Sequence, residues 1–176
     1  MNFAQIIGYI ATVICILSFQ SKTQKGIVIM QTFSAALFAI HFYMIEAYSG
    51  ALLNVVASIR AIIFTFRHKK WAGNVIWVYV FGFLALACYF TTIFVFTPNA
   101  TIKTCFIELL PTLGIVATTI ATRLENAKLV RRYSFISSPL WLIYNAIMGS
   151  IGGVITETFN IVSIITAMVR LDFKKK

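Results

Sequence analysis

Asn54 and Asn160 each open nearly the same phrase, "NVVASIRA" at 54–61 and "NIVSIITA" at 160–167, 106 positions apart. An amide set among Val and Ile in hydrocarbon is costly unless a polar group or a ligand meets it. Asparagine both donates and accepts, so each position suits contact with a polar solute or a hydrogen bond that glues one helix to another. Glu157 stands three residues before Asn160, within about 60° of it on a helical wheel, and both can face one cavity. A carboxylate at that depth would carry a proton or meet a cationic solute. The alternative is a carboxylate near the outer surface, one turn below Gly152-Gly153.

Arg60 lies inside the third apolar segment, ahead of the basic cluster Arg67, Lys69 and Lys70. It either snorkels to that interface or forms an inner gate that attracts an anionic group. Thr166 takes its place in the second phrase. Glu108 is expected to open the fifth helix, where a carboxylate favours the positive helix end, with a gating or coupling role as the alternative. Phe38, Phe42, Trp141 and Tyr144, with His41 and Asn145, recur at helical spacing on the segments before the Asn phrases. Such rings either pack or stack against a flat solute in a cavity. Pro111 and Pro139 remove backbone donors within helices five and six and are candidate hinges.

These residues need a scaffold that lives in lipid. Of 176 residues 60% are hydrophobic and 11% charged, with mean hydropathy +0.88; a soluble domain of that size could not hide so much apolar surface. The net charge of +10 sits in short clusters between apolar runs, which reads as topology signals and headgroup contacts rather than nucleic-acid binding. Cys15, Cys88 and Cys105 share no ligand spacing, so they are expected to pack as small side chains, with no metal and no cofactor.

Cutting at charges, glycines and prolines predicts seven transmembrane helices over 3–20, 27–45, 49–66, 74–96, 104–122, 133–149 and 153–170, most near the ~20 residues a bilayer requires. Glu46–Gly50 and Gly149–Gly153 read as tight turns. Lys22, Lys25, Arg67, Lys69, Lys70, Arg123, Lys128, Arg131, Arg132, Arg170 and Lys174–Lys176 fall on one side, and Lys103 alone on the other. The positive-inside rule then places the N-terminus outside and the C-terminus in the cytoplasm.

Sliding the sequence by 106 positions pairs Gly8 with Gly114, Ala11-Thr12 with Ala117-Thr118, Lys22 with Lys128 and Asn54 with Asn160 without a gap. The expected architecture is all-α, with two parallel three-helix bundles (1–70 and 104–176) joined by a linker helix and outer loop over 71–103. This 3+1+3 plan resembles the SWEET and PQ-loop superfamily of small-solute transporters, to which the PnuC-type vitamin transporters are also similar. The residues that carry it are "QSKTQK" (20–25), "LFAIHFY" (37–43), "WLIYN" (141–145) and the Asn phrases. The first loop lacks the Pro-Gln pair of the PQ-loop branch. The chain also resembles the YgjV-type bacterial inner-membrane proteins through "ELLPTLG" (108–114), "WLIYNAIMGSIGG" (141–153) and "SIRA" (58–61).

The SWEET resemblance implies that Asn54 and Asn160 touch the solute near a pseudo-twofold axis. The expected function is a transporter or facilitator for a small polar solute, with the two bundles rocking about a midplane site. A non-transporting receptor or scaffold on the same fold is the alternative. No nucleophile–base pair appears, so an enzyme is not expected. The expected partners are the bilayer, the solute and, as an option, a second copy of the chain.

Overall fold

The computed structural model describes residues 2–18, 20–21, 24–124 and 126–171. Lys22 and Lys174–Lys176, which carry part of the predicted charge asymmetry, lie outside the described residues. Seven α-helices follow one another: α1 Phe3–Ser18, α2 Gln24–Met44, α3 Tyr48–Thr65, α4 Ile76–Thr91, α5 Ile102–Arg123, α6 Ala127–Ile147 and α7 Ile151–Leu171. A π-helical turn, Thr92–Phe96, extends α4.

Four stretches are long and apolar enough to cross a bilayer: Tyr48–Thr65, Ile76–Phe96, Ile102–Arg123 and Ile151–Arg170. Of the seven predicted spans, these four have the length and hydropathy to cross. Phe3–Ser18 and Val28–Met44 are apolar but shorter. α6 begins six residues before its predicted start, because Asn126 caps it. Its side-chain oxygen accepts from the Lys128 and Leu129 amides at 3.0 and 3.4 Å, which settles two of the orphan donors of a first turn. The basic run 128–132 is therefore helical rather than loop.

Helix neighbours run α1–α2–α3 and α5–α6–α7, and the two sets meet where α1 packs on α7 and α3 on α5. α4 lies across the α3/α5 seam, with Leu53, Ala85 and Ile115 in one cluster and Val56, Phe64 and Phe81 in the next. Its opposite face exposes Tyr79, Phe83, Leu86, Phe90 and Phe94, spaced at three and four residues as one stripe of a helix. In a membrane protein such a stripe is the lipid contact.

The second helices of each set start and stop 103 residues apart, at 24 and 127 and at 44 and 147, and the third helices start 103 apart, at 48 and 151. Local details share that interval. The Ala47 amide donates to the Phe42 carbonyl and the Ser150 amide to the Asn145 carbonyl, both at 2.9 Å. These close left-handed turns at Glu46 (φ 60°) and Gly149 (φ 70°), the usual way to satisfy a helix C-terminus. Ser34 Oγ donates to the Ala11 carbonyl and Ser137 Oγ to the Gly114 carbonyl, both at 2.8 Å. The register between the two sets is therefore 103, not 106. Asn54 corresponds to Glu157, Ala57 to Asn160, and Arg60 to Ser163 rather than Thr166. A slip of three residues is close to one turn, so the 106 slide keeps apolar faces aligned while missing the true positions.

At the α1/α7 seam two backbones approach closely. A Cβ added at Gly152 would stand 2.6 Å from the Gly8 carbonyl oxygen, and Thr12 Oγ1 donates to the Gly152 carbonyl at 2.8 Å. Gly152→Ala must push two backbones apart, and its thermal midpoint in detergent should fall by the equivalent of about 1–3 kcal/mol. Gly82→Ala, where nothing lies within 4 Å, should leave the midpoint unchanged or raise it. Equal midpoints for the two variants would contradict the close approach.

Candidate functional site

Five helices enclose a cavity of about 400 Å³. Six position-matched pairs line it: Gln31 and Ser134, Phe38 and Trp141, Phe42 and Asn145, Asn54 and Glu157, Ala57 and Asn160, Arg60 and Ser163. Ser137, Ser138, Thr118 and Thr156 add hydroxyls. The polar face of α6 explains why that helix does not read as an apolar span: Ser134, Ser137, Ser138, Trp141 and Asn145 fall at helical spacing and turn inward. That stripe is legible in the sequence, where three serines interrupt an otherwise apolar and aromatic run.

The two asparagines line this one cavity, yet neither touches the other. Asn54 Nδ2 donates to the Gly50 carbonyl of its own helix at 2.8 Å. Asn160 Nδ2 donates to Glu157 Oε2 at 3.3 Å, and the Ser138 side chain also meets that carboxyl. Glu157 thus faces the cavity rather than the outer surface.

At one end the cavity is closed by packing. Phe38, Phe42 and Tyr144 form a buried cluster with Ala11, Ala47 and Ala51. Phe42 has its ring centroid 6.2 Å from those of both Trp141 and Tyr144. Expected beside the solute, His41 and Tyr144 are instead fully buried and do not line the cavity. They are matched positions, and each bonds the other helix set. His41 Nδ1 lies 2.7 Å from the Ala4 carbonyl; a carbonyl only accepts, so Nδ1 carries hydrogen. Nε2 is 2.8 Å from Ser150 Oγ and accepts its hydroxyl in the neutral ring. Ser150 Oγ in turn accepts from the Gly153 amide at 3.2 Å. The Tyr144 hydroxyl accepts from the Gly50 amide at 3.0 Å, which serves an orphan donor in the first turn of α3.

Glu108 does not open α5. Thr101 caps that helix, which leaves Glu108 nearly two turns inside and 3% exposed. The Tyr144 and Ser49 hydroxyls meet its carboxyl, while Oε2 has no partner. Its place is in the closure, not in the helix-dipole role. Pro111 and Pro139 lie inside α5 and α6, both of which continue past them.

At the other end the cavity meets a second one of about 470 Å³, and Gln31 and Arg60 line both. That second space reaches Arg67 and Arg131 at the basic helix ends. Arg60 does not snorkel along its own helix. Nη1 reaches α5, donating to Thr119 Oγ1 at 2.8 Å, the Ile115 carbonyl at 3.1 Å and Thr118 Oγ1 at 3.2 Å. Among the described residues no carboxylate pairs with it, and none offers a cluster of three His, Cys, Asp or Glu for a metal.

A multi-helix chain with lipid-facing stripes and a polar internal cavity defines a polytopic membrane protein. Residues 2–175 match the family model Imp-YgjV, described as a bacterial inner membrane protein, and the chain belongs to that family. It is 25% identical over 154 residues to inner membrane protein YgjV of Escherichia coli (strain K12), covering 88% of this chain and 76% of the relative. No solved structure matches it.

Proposed function

We propose that this inner-membrane protein moves a small polar solute across the bilayer, as two parallel three-helix bundles (1–70 and 104–176) linked through 71–103. The bundles rock about the central cavity, in the manner of the SWEET-like transporters that the 3+1+3 plan resembles. The observation that carries this reading is the cavity itself. Its polar lining comes in position-matched pairs from both helix sets, with a packed aromatic closure at one end and continuity past Arg60 at the other. A scaffold gains nothing from turning Asn54, Asn160, Glu157 and Arg60 into one cavity, since each costs free energy unless something meets it.

The basic end faces the cytoplasm on the positive-inside rule, so the state described is open inward and shut outward. Asn54, Asn160, Glu157, Trp141, Asn145 and Phe38 bind the solute; His41, Tyr144 and Glu108 shut the outer end; Arg60 guards the inner one. Pro111 and Pro139 give α5 and α6 room to bend. The test is flux in proteoliposomes across a broad panel of labelled polar metabolites. Saturable uptake of at least one, lost when Asn54 or Glu157 is replaced by alanine, is the expected result. A panel with no protein-dependent flux overturns the proposal.

A further inference from the structure

Glu157 and Arg60 line the same cavity with opposite charges, and they do not pair with each other. Among the described residues Glu157 is met by Asn160 and Ser138, and Arg60 by neutral acceptors of α5. A buried charge without a counter-charge is expensive, and two of opposite sign would ordinarily be drawn together. Their separation is built into the helices. Both α3 and α7 start at the packed end, where Gly50 and Ser150 make their bonds. Glu157 holds the level of Asn54 by the 103-residue register, and Arg60 lies six residues further along α3, or about 9 Å of helix axis. Phe38 and Trp141 add flat apolar faces to the lining.

From this we infer that the solute is a zwitterion: an elongated molecule with a cationic nitrogen at one end and an anionic group at the other. Its ammonium sits against Glu157 among the rings, where carboxylate and aromatic faces both favour a cation. Its anionic end reaches Arg60, whose fork suits carboxylate or phosphate. Each end neutralises a charge that the fold leaves uncompensated, and the solute as a whole enters the membrane without net charge. This inference deepens the transport proposal and rests on the same cavity.

The test is equilibrium binding to the full-length protein in nanodiscs, which needs no flux. The probes are linear ω-amino acids of roughly four to eight carbons, with the matching alkylamines, carboxylates and diols. One or two chain lengths, those near the spacing of the two charges, should bind at least about tenfold tighter than either singly charged analogue. Glu157→Gln should reduce that ligand to the affinity of the bare carboxylate. Arg60→Gln should reduce it to that of the amine, and Arg60→Lys should restore part of the difference. Diols binding as tightly as amino acids, no saturable binding at any length, or an unchanged preference in Glu157→Gln would each overturn the inference. A zwitterion that binds but does not cross the vesicle wall would sink transport and leave this assignment standing. Flux of a neutral solute untouched by Glu157→Gln would do the reverse.

Discussion

Replacing Arg60 with methionine should make the protein more stable and stop it working. Arg60 is 9% exposed, its Nε is buried without a partner, and its Nη1 contacts are all neutral. Those acceptors do not depend on it. Thr118 Oγ1 already donates to the Gly114 carbonyl at 2.9 Å and Thr119 Oγ1 to the Ile115 carbonyl at 2.7 Å. Losing the arginine therefore orphans no buried group in α5. Methionine keeps much of the volume and removes a desolvated charge, an exchange that is often neutral or stabilising by about 1–4 kcal/mol. The thermal midpoint in detergent should hold or rise. Flux should drop to the level of empty vesicles, because the cation at the junction of the two cavities is gone. A fall in midpoint with flux retained would make Arg60 a structural brace. That outcome would remove the inner guard from the proposed cycle.

This residue also marks where sequence reading stops. Its depth within an apolar segment was plain, and so were two destinations for its side chain. Reaching α5 was not, because the neighbouring helix is chosen by packing and not by anything local to "SIRA" (58–61). Helix number and order followed from apolar runs and breakers, since glycine and charge interrupt a span wherever they fall. Turns at Glu46 and Gly149 followed from the same signals.

The duplicated phrase was the most visible feature and the most misleading one. It placed Asn54 and Asn160 on one cavity, where both lie. It also equated them, and the helix ends and turn bonds pair Asn54 with Glu157 instead. Hydropathy hides the error, because neighbouring turns of a lipid-facing helix look alike. Glu108 was misplaced for a related reason: the helix start depends on the Thr101 cap, whose hydroxyl accepts from the Thr104 amide at 3.2 Å. Apolarity alone put that start too late. Ser150, the partner of His41, read only as part of a glycine turn.

The matched rings at the packed end bear on the proposed transport cycle most directly. His41 and Tyr144 are equivalent positions, both inaccessible, and each reaches across to where the other set turns into its third helix. A double variant, His41→Phe with Tyr144→Phe, keeps the bulk and removes the cross-links. Four buried partners lose a bond: the Ala4 carbonyl, the Ser150 hydroxyl, the Gly50 amide and the Glu108 carboxyl. Each such loss costs about 1–3 kcal/mol in the shut state. If the outward-open state makes none of these bonds, that cost appears as a shift of the equilibrium toward it. Two lost bonds suffice for at least a tenfold change, at about 1.4 kcal/mol per decade.

Spin labels on cysteines at Met44 and Ile147, both exposed and themselves 103 residues apart, report the opening in a background lacking Cys15, Cys88 and Cys105. The parent protein should give one short distance, and the double variant a second, longer one. A lowered thermal midpoint with the distance unchanged would mean that the rings hold the fold together without governing access. The position-matched bonds would then be the residue of a shared ancestry of the two halves and not the outer gate.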